Sequence, residues 1–163
     1  MKAKLVTLGA LTLLAFTLVG SPILRAQPSA PTRNDQGVLG PGLYVFQMRI
    51  LSATCDDADR TGYVTTFVAP IHGIPGSREM SMELLNSQYW PAWNLTVDAR
   101  GRITGQATID GRDGSPAATN RFELVRQGPR FTGRGSRNYT STSGGTRRRC
   151  EVSYEALLRL LEI

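Results

Sequence analysis

The chain has little of what catalysis or metal binding needs. Its 163 residues contain one histidine and two cysteines. Two cysteines and one histidine fall short of a structural zinc site, and no Cys-x-x-Cys pair points to a dithiol oxidoreductase. No serine sits in a Gly-x-Ser-x-Gly elbow, so His72 lacks the partner that would make it the base of a hydrolase triad. A single histidine in a Pro/Gly-rich stretch reads as an exposed loop residue. The acidic runs at 56–59 (DDAD) and 110–113 (DGRD) have too few ligands for a calcium loop, and turns recruit aspartate for their own hydrogen bonds. No cofactor motif is present, and neither enzyme activity nor a bound metal is expected.

Lysine is absent after Lys4, and no apolar run reaches the roughly 20 residues of a membrane-spanning helix. Lys2 and Lys4 followed by the uncharged run Leu5–Val19 and by Leu24-Arg25-Ala26 have the form of an export signal cleaved after Ala26. The expected organisation is a signal peptide at 1–26, a flexible Pro/Gly/Ser-rich linker at 27–42 and one domain at 43–163. Such a protein is periplasmic or secreted, without stable membrane insertion after cleavage, in a compartment where disulfides persist.

Removal of Lys2, Lys4 and Arg25 leaves 16 basic residues against 13 acidic ones, a net charge of +3. The charge is uneven. Residues 100–149 hold eleven arginines and three acids, whereas 27–99 hold four arginines and seven acids. That asymmetry suits either an anionic partner or arginines lining the outer faces of strands. Nucleic acid is not expected as the partner of an exported chain.

Apolar residues recur with a period of two. Tyr44, Phe46, Met48 and Ile50 alternate with more polar neighbours, and Tyr63, Thr65 and Phe67 oppose Val64, Thr66 and Val68. The stretch 69–76 (APIHGIPG), with two prolines and two glycines, predicts an irregular loop. Alternation resumes at Met80 and Met82, at Trp93, Leu95 and Val97, at Ile103, Gly105, Ala107 and Ile109, and near Phe122 and Leu124. Phe131 to Gly135 reads as a strand bent at its glycines, 140–146 (TSTSGGT) as a polar mobile loop, and 155–162 (EALLRLLE) as a short terminal helix on propensity. Seven or eight short strands with no helix between them predict an all-β antiparallel meander, closed into a small barrel or packed as a sandwich.

Cys55 ends the first strand and Cys150 opens the last. Closure of the meander makes these strands neighbours, and a Cys55–Cys150 disulfide is expected to fasten the seam. Three further groups are candidates for binding. Tyr89, Trp90 and Trp93 gather both tryptophans; such aromatics anchor interfaces and ligand pockets or plug the end of a core. Arg147, Arg148 and Arg149 grip an anion or guard a solvated sheet edge. Asn94-Leu95-Thr96 and Asn138-Tyr139-Thr140 match the glycosylation sequon, which matters only in a eukaryotic source.

Cys55, Gly62-Tyr63, residues 98–105 (DARGRITG), 131–135 (FTGRG) and Arg147 to Cys150 together resemble a loose group of exported proteobacterial one-disulfide β-domains of unassigned function. Arg149 stands where that group usually has proline. The resemblance implies a fold and a compartment, and supplies no catalytic residue. The expected function is an exported binding module for a small apolar ligand or a protein surface. The alternative is an inhibitor of an exported protease or lysozyme, with a mobile loop (69–77 or 140–146) entering the target's cleft.

Overall fold

The structure is a computed structural model, and it describes residues 38–55, 59–111, 117–143 and 145–162. The expected signal peptide and most of the expected linker lie outside these residues. Eight strands follow one another: β1 (Gly42–Ala53), β2 (Val64–His72), β3 (Glu79–Glu83), β4 (Ala92–Val97), β5 (Ile103–Ile109), β6 (Ala118–Gln127), β7 (Arg130–Ser143) and β8 (Thr146–Leu160). Each pairs antiparallel with the next, and β8 returns to pair with β1. The meander is therefore a closed up-and-down barrel and not a sandwich. Closure satisfies the sheet-edge backbone groups that a flat meander leaves to solvent.

Period-two patterning fixes which residues enter the lumen. Phe46 from β1, Trp93 from β4 and Phe122 from β6 meet in the middle, with ring centroids 5.1 to 6.0 Å apart. Leu95, Ile103, Leu124, Tyr154 and Leu158 pack around them and are almost wholly buried. Gly105 and Gly135 also face inward, and each lies under a neighbouring ring. A β-carbon at Gly105 would overlap Phe122, and one at Gly135 would overlap Tyr154. Leu39 joins the core and the Tyr44 hydroxyl donates to the Gly40 carbonyl at 2.9 Å. Packing therefore already includes residues of the expected 27–42 linker.

Three local expectations are corrected. The terminal helix at 155–162 does not form: β8 continues to Leu160, because Val152, Tyr154, Ala156 and Leu158 alternate into the core while the backbone pairs with both β1 and β7. Two flanking strands outweigh a propensity difference of a few tenths of a kcal/mol per residue. The loop at 69–76 begins only after His72. Pro70 sits in β2 opposite Leu43, its nitrogen directed away from β1, so no β1–β2 hydrogen bond is lost. Finally, the 140–146 segment is mostly strand. β7 and β8 pair as far as Ser143 and Thr146, and Gly145 (φ +80°) takes the left-handed conformation at the turn.

The seams differ in extent. β1 and β8 share nine register pairs, whereas β2 and β3 share two, supplemented by the Leu85 amide donating to the Val68 carbonyl at 3.0 Å. The Cys55–Cys150 disulfide, Cα to Cα 5.4 Å, joins the chain two residues past β1 to β8, beside the β1–β8 seam.

Candidate functional site

The connections β1–β2, β3–β4, β5–β6 and β7–β8 all emerge at one end of the barrel, here termed the upper rim. Tyr89 and Trp90 belong to the β3–β4 connection and the three consecutive arginines to the β7–β8 hairpin. In the ring of strands these two features stand half a turn apart. They share a rim but form no single patch.

The aromatic cluster divides. Trp93 is 2% exposed and packs at a tilt against Phe46 and Phe122, and its Nε1 donates to the Trp90 carbonyl at 3.0 Å. Trp90 is also buried, its amide held by the Ser87 hydroxyl. Asn86, in the same connection, takes the left-handed conformation (φ 63°). Tyr89 is 70% exposed and is the member of the trio that faces solvent. Both indoles thus belong to the core.

The arginines lie on a projecting hairpin. Beyond the Tyr139–Cys150 pair, four more register pairs carry β7 and β8 past the disulfide, a rise of about 13 Å at 3.3 Å per residue. Alternation places Arg147 and Arg149 on one face with Glu151, and Arg148 on the other with Cys150. All three are exposed. The Arg149 Nε lies 3.7 Å from a Glu151 oxygen, a solvent-exposed pair of small energetic consequence. His72 ends β2 at the opposite rim, exposed.

A second group at the upper rim was not anticipated from the sequence. Asp59, in the β1–β2 connection, is buried, and its carboxylate accepts from the Arg137 guanidinium and, at 2.7 Å, from the Tyr139 hydroxyl. Arg137 and Tyr139 are inward positions of β7. Asn120 of β6 faces Arg137 in register and is fully buried. The Tyr154 hydroxyl donates to the Asn120 side-chain oxygen at 2.6 Å, while the Asn120 amide nitrogen has no partner. Burial raises the Tyr154 pKa well above the ordinary phenol value, with the Arg137 charge pulling weakly the other way. Burial thus favours the neutral phenol, the form that donates. Strand parity carried the signal: counting by twos from Phe131 and Phe122 puts Arg137, Tyr139 and Asn120 inside.

Outside the barrel, two shallow depressions of about 390 and 410 Å³ lie on the β6–β7 wall and the β1–β8–β7 wall. They follow a belt of alternating charge. Arg49 pairs with Glu155 at 2.6 Å, Arg102 with Glu123 at 3.2 Å, and Arg134 lies in register with both glutamates. Among the described residues no group of three or more His, Cys, Asp or Glu side chains is placed to hold a metal ion. The chain matches no family model, no curated protein and no solved structure.

Proposed function

We propose that this chain is an exported binding module that recognises a protein surface through its upper rim. The observation that carries this reading is the occupied lumen. Rings from three strands around the wall meet at the axis, so the space where a barrel would carry an apolar small molecule is filled by Phe46, Trp93 and Phe122. Recognition then falls to the exterior. The exposed Tyr89 and the hairpin bearing Arg147, Arg148 and Arg149 are the features that suit it, since tyrosine and arginine are enriched at binding hot spots. A structural disulfide fits an oxidising, exported location. The kinship with exported proteobacterial β-domains belongs to the same proposal.

The hairpin favours a second, narrower version of this function. A two-stranded projection carrying three consecutive cations has the form of a wedge that enters an acidic cleft. An inhibitor of an exported protease or lysozyme would use it in that way.

Native mass spectrometry of the protein isolated from its own compartment, after mild cross-linking, tests the proposal. A co-purifying exported protein is the expected result. Replacing Arg147, Arg148 and Arg149 together by serine should weaken its capture about tenfold or more, with little change in melting temperature. A retained small molecule without a protein partner would overturn the reading. Inhibition of the captured enzyme, lost in the triple variant, would select the inhibitor version.

A further inference from the structure

The polar cluster at the mouth is asymmetric in its chemistry. The barrel wall supplies donors: the Arg137 guanidinium, the Tyr139 hydroxyl and, beside Arg137 in register, the unpartnered Asn120 amide nitrogen. The acceptor comes from outside the wall, on the β1–β2 connection. Asp59 answers Arg137 with one carboxylate oxygen and Tyr139 with the other, and leaves the Asn120 nitrogen unsatisfied. A buried amide donor without a protein partner is costly and rare, and it marks a place where a further acceptor would be favoured.

We propose that Arg137, Tyr139 and Asn120 form a carboxylate-binding site at the mouth of the barrel, and that Asp59 occupies it as a tethered internal ligand. The site is inward-facing and almost closed, with the Arg137 and Asp59 side chains 14% and 6% exposed. Arginine's planar fork matches a carboxylate, and a partly desolvated guanidinium demands a counter-charge. The Cys55–Cys150 bond anchors the chain four residues before Asp59, which keeps the internal carboxylate at a high effective concentration. A free carboxylate enters when Asp59 withdraws, and the unpaired donor of Asn120, the residue in register with Arg137, is the further group proposed to meet it. The chemistry is the same for a small organic acid and for the terminal or side-chain carboxylate of a peptide. This inference is independent of the protein-surface reading, which uses the hairpin and Tyr89.

Replacing the internal ligand tests it. Oxidised Asp59→Ala is titrated with sodium formate and then acetate, with ionic strength held constant by sodium chloride. Melting temperature and the side-chain amide resonances of Asn120 are followed. Asp59→Ala should melt below wild type and recover saturably by about 3 °C or more as formate fills the vacated site. Wild type should shift by less than a third as much, and Asp59→Ala combined with Arg137→Gln should not respond. If the alanine variant does not fold, Asp59→Ser, which also removes the charge and empties most of the side-chain volume, takes the same titration. A short peptide with a free C-terminus, compared with its amidated twin, separates the sources. Competition with formate by the free-acid peptide alone assigns a peptide carboxylate, and no competition assigns a small acid. A response in wild type equal to that of the variants places the anion on outer arginines and overturns the proposal. So does the absence of any saturable carboxylate effect in both Asp59 variants.

Discussion

Gly135 and Tyr154 show how single residues set the shape of this wall. The Tyr154 ring lies over Gly135, and any β-carbon there meets the ring. Gly135→Ala should therefore cost about 1–3 kcal/mol by overpacking, read as a lower urea midpoint with unchanged slope. The same substitution at Gly128, a turn position with nothing within reach of a β-carbon, meets backbone strain at φ +63° but no ring, and should leave the chemical shifts of Tyr154 unmoved. Tyr154 also ties stability to pH. Burial raises its folded-state pKa above the 10.0 of an ordinary tyrosine, so the folded protein keeps a proton that the unfolded chain loses. Its contribution is intact below pH 10 and falls as pH rises further, by up to about 1.4 kcal/mol per pH unit. Urea titrations between pH 9 and 11.5 should show this decline. Tyr154→Phe should flatten it, with a remnant from Tyr44, whose pKa is also raised by burial. At neutral pH the same variant should lose about 1–3 kcal/mol, because the buried Asn120 oxygen loses its donor.

At the scale of elements, β8 separates what patterning predicts from what propensity predicts. The run 155–162 has good helix formers, yet Ala156 and Leu158 are buried while Leu157 and Arg159 face outward. Leu158→Ala should cost about 2–5 kcal/mol, whereas Leu157→Ala should cost under about 1 kcal/mol, and equal losses would mean that the end of the chain is not a strand. Alternation made most of the barrel legible from sequence: the inward rows of β1, β4, β5 and β6 are the residues that the period of two selects. Local signals misled where tertiary pairing decides. Pro70 looked like a strand breaker, but its nitrogen faces the side where β3 pairs only with Ile71 and His72. The Ser/Thr/Gly-rich 140–146 run looked mobile, but it is held as a hairpin beyond the disulfide. The candidate site was half legible. The exposed Tyr89 and the arginines were visible as composition, while the Asp59–Arg137–Tyr139 cluster needs two segments about 80 residues apart brought together by closure, and no single stretch of chain announces it.

For the whole molecule, strand pairing is uneven: β7 and β8 share fourteen register pairs, β1 and β8 nine, and β2 and β3 two. In β2 the even-numbered residues direct their backbone groups away from β1, and among the described residues Val64 and Thr66 meet no strand on that side. In β1, the amides of Val45, Gln47 and Arg49 point towards β8, inside the nine-pair seam. Native-state hydrogen exchange should therefore find Val64 and Thr66 fast and Gln47 slow, since protection follows the free energy of the opening that exposes each amide. The disulfide lies beside the slow seam and encloses a 95-residue separation. Chain entropy assigns such a bridge about 4.7 kcal/mol, a large share of the roughly 5–15 kcal/mol that holds a domain together. Reduction under native conditions should leave a barrel, because the β1–β8 pairing is backbone and core, but it should lower the urea midpoint by about 2 M. The exchange pattern should change selectively. Gln47, which opens only with the whole molecule, should speed up by about a thousandfold, while Val64 and Thr66, already open locally, should hardly move. If reduction instead left Gln47 as slow as before, the bridge would be a marker of compartment and not a support of the closed sheet.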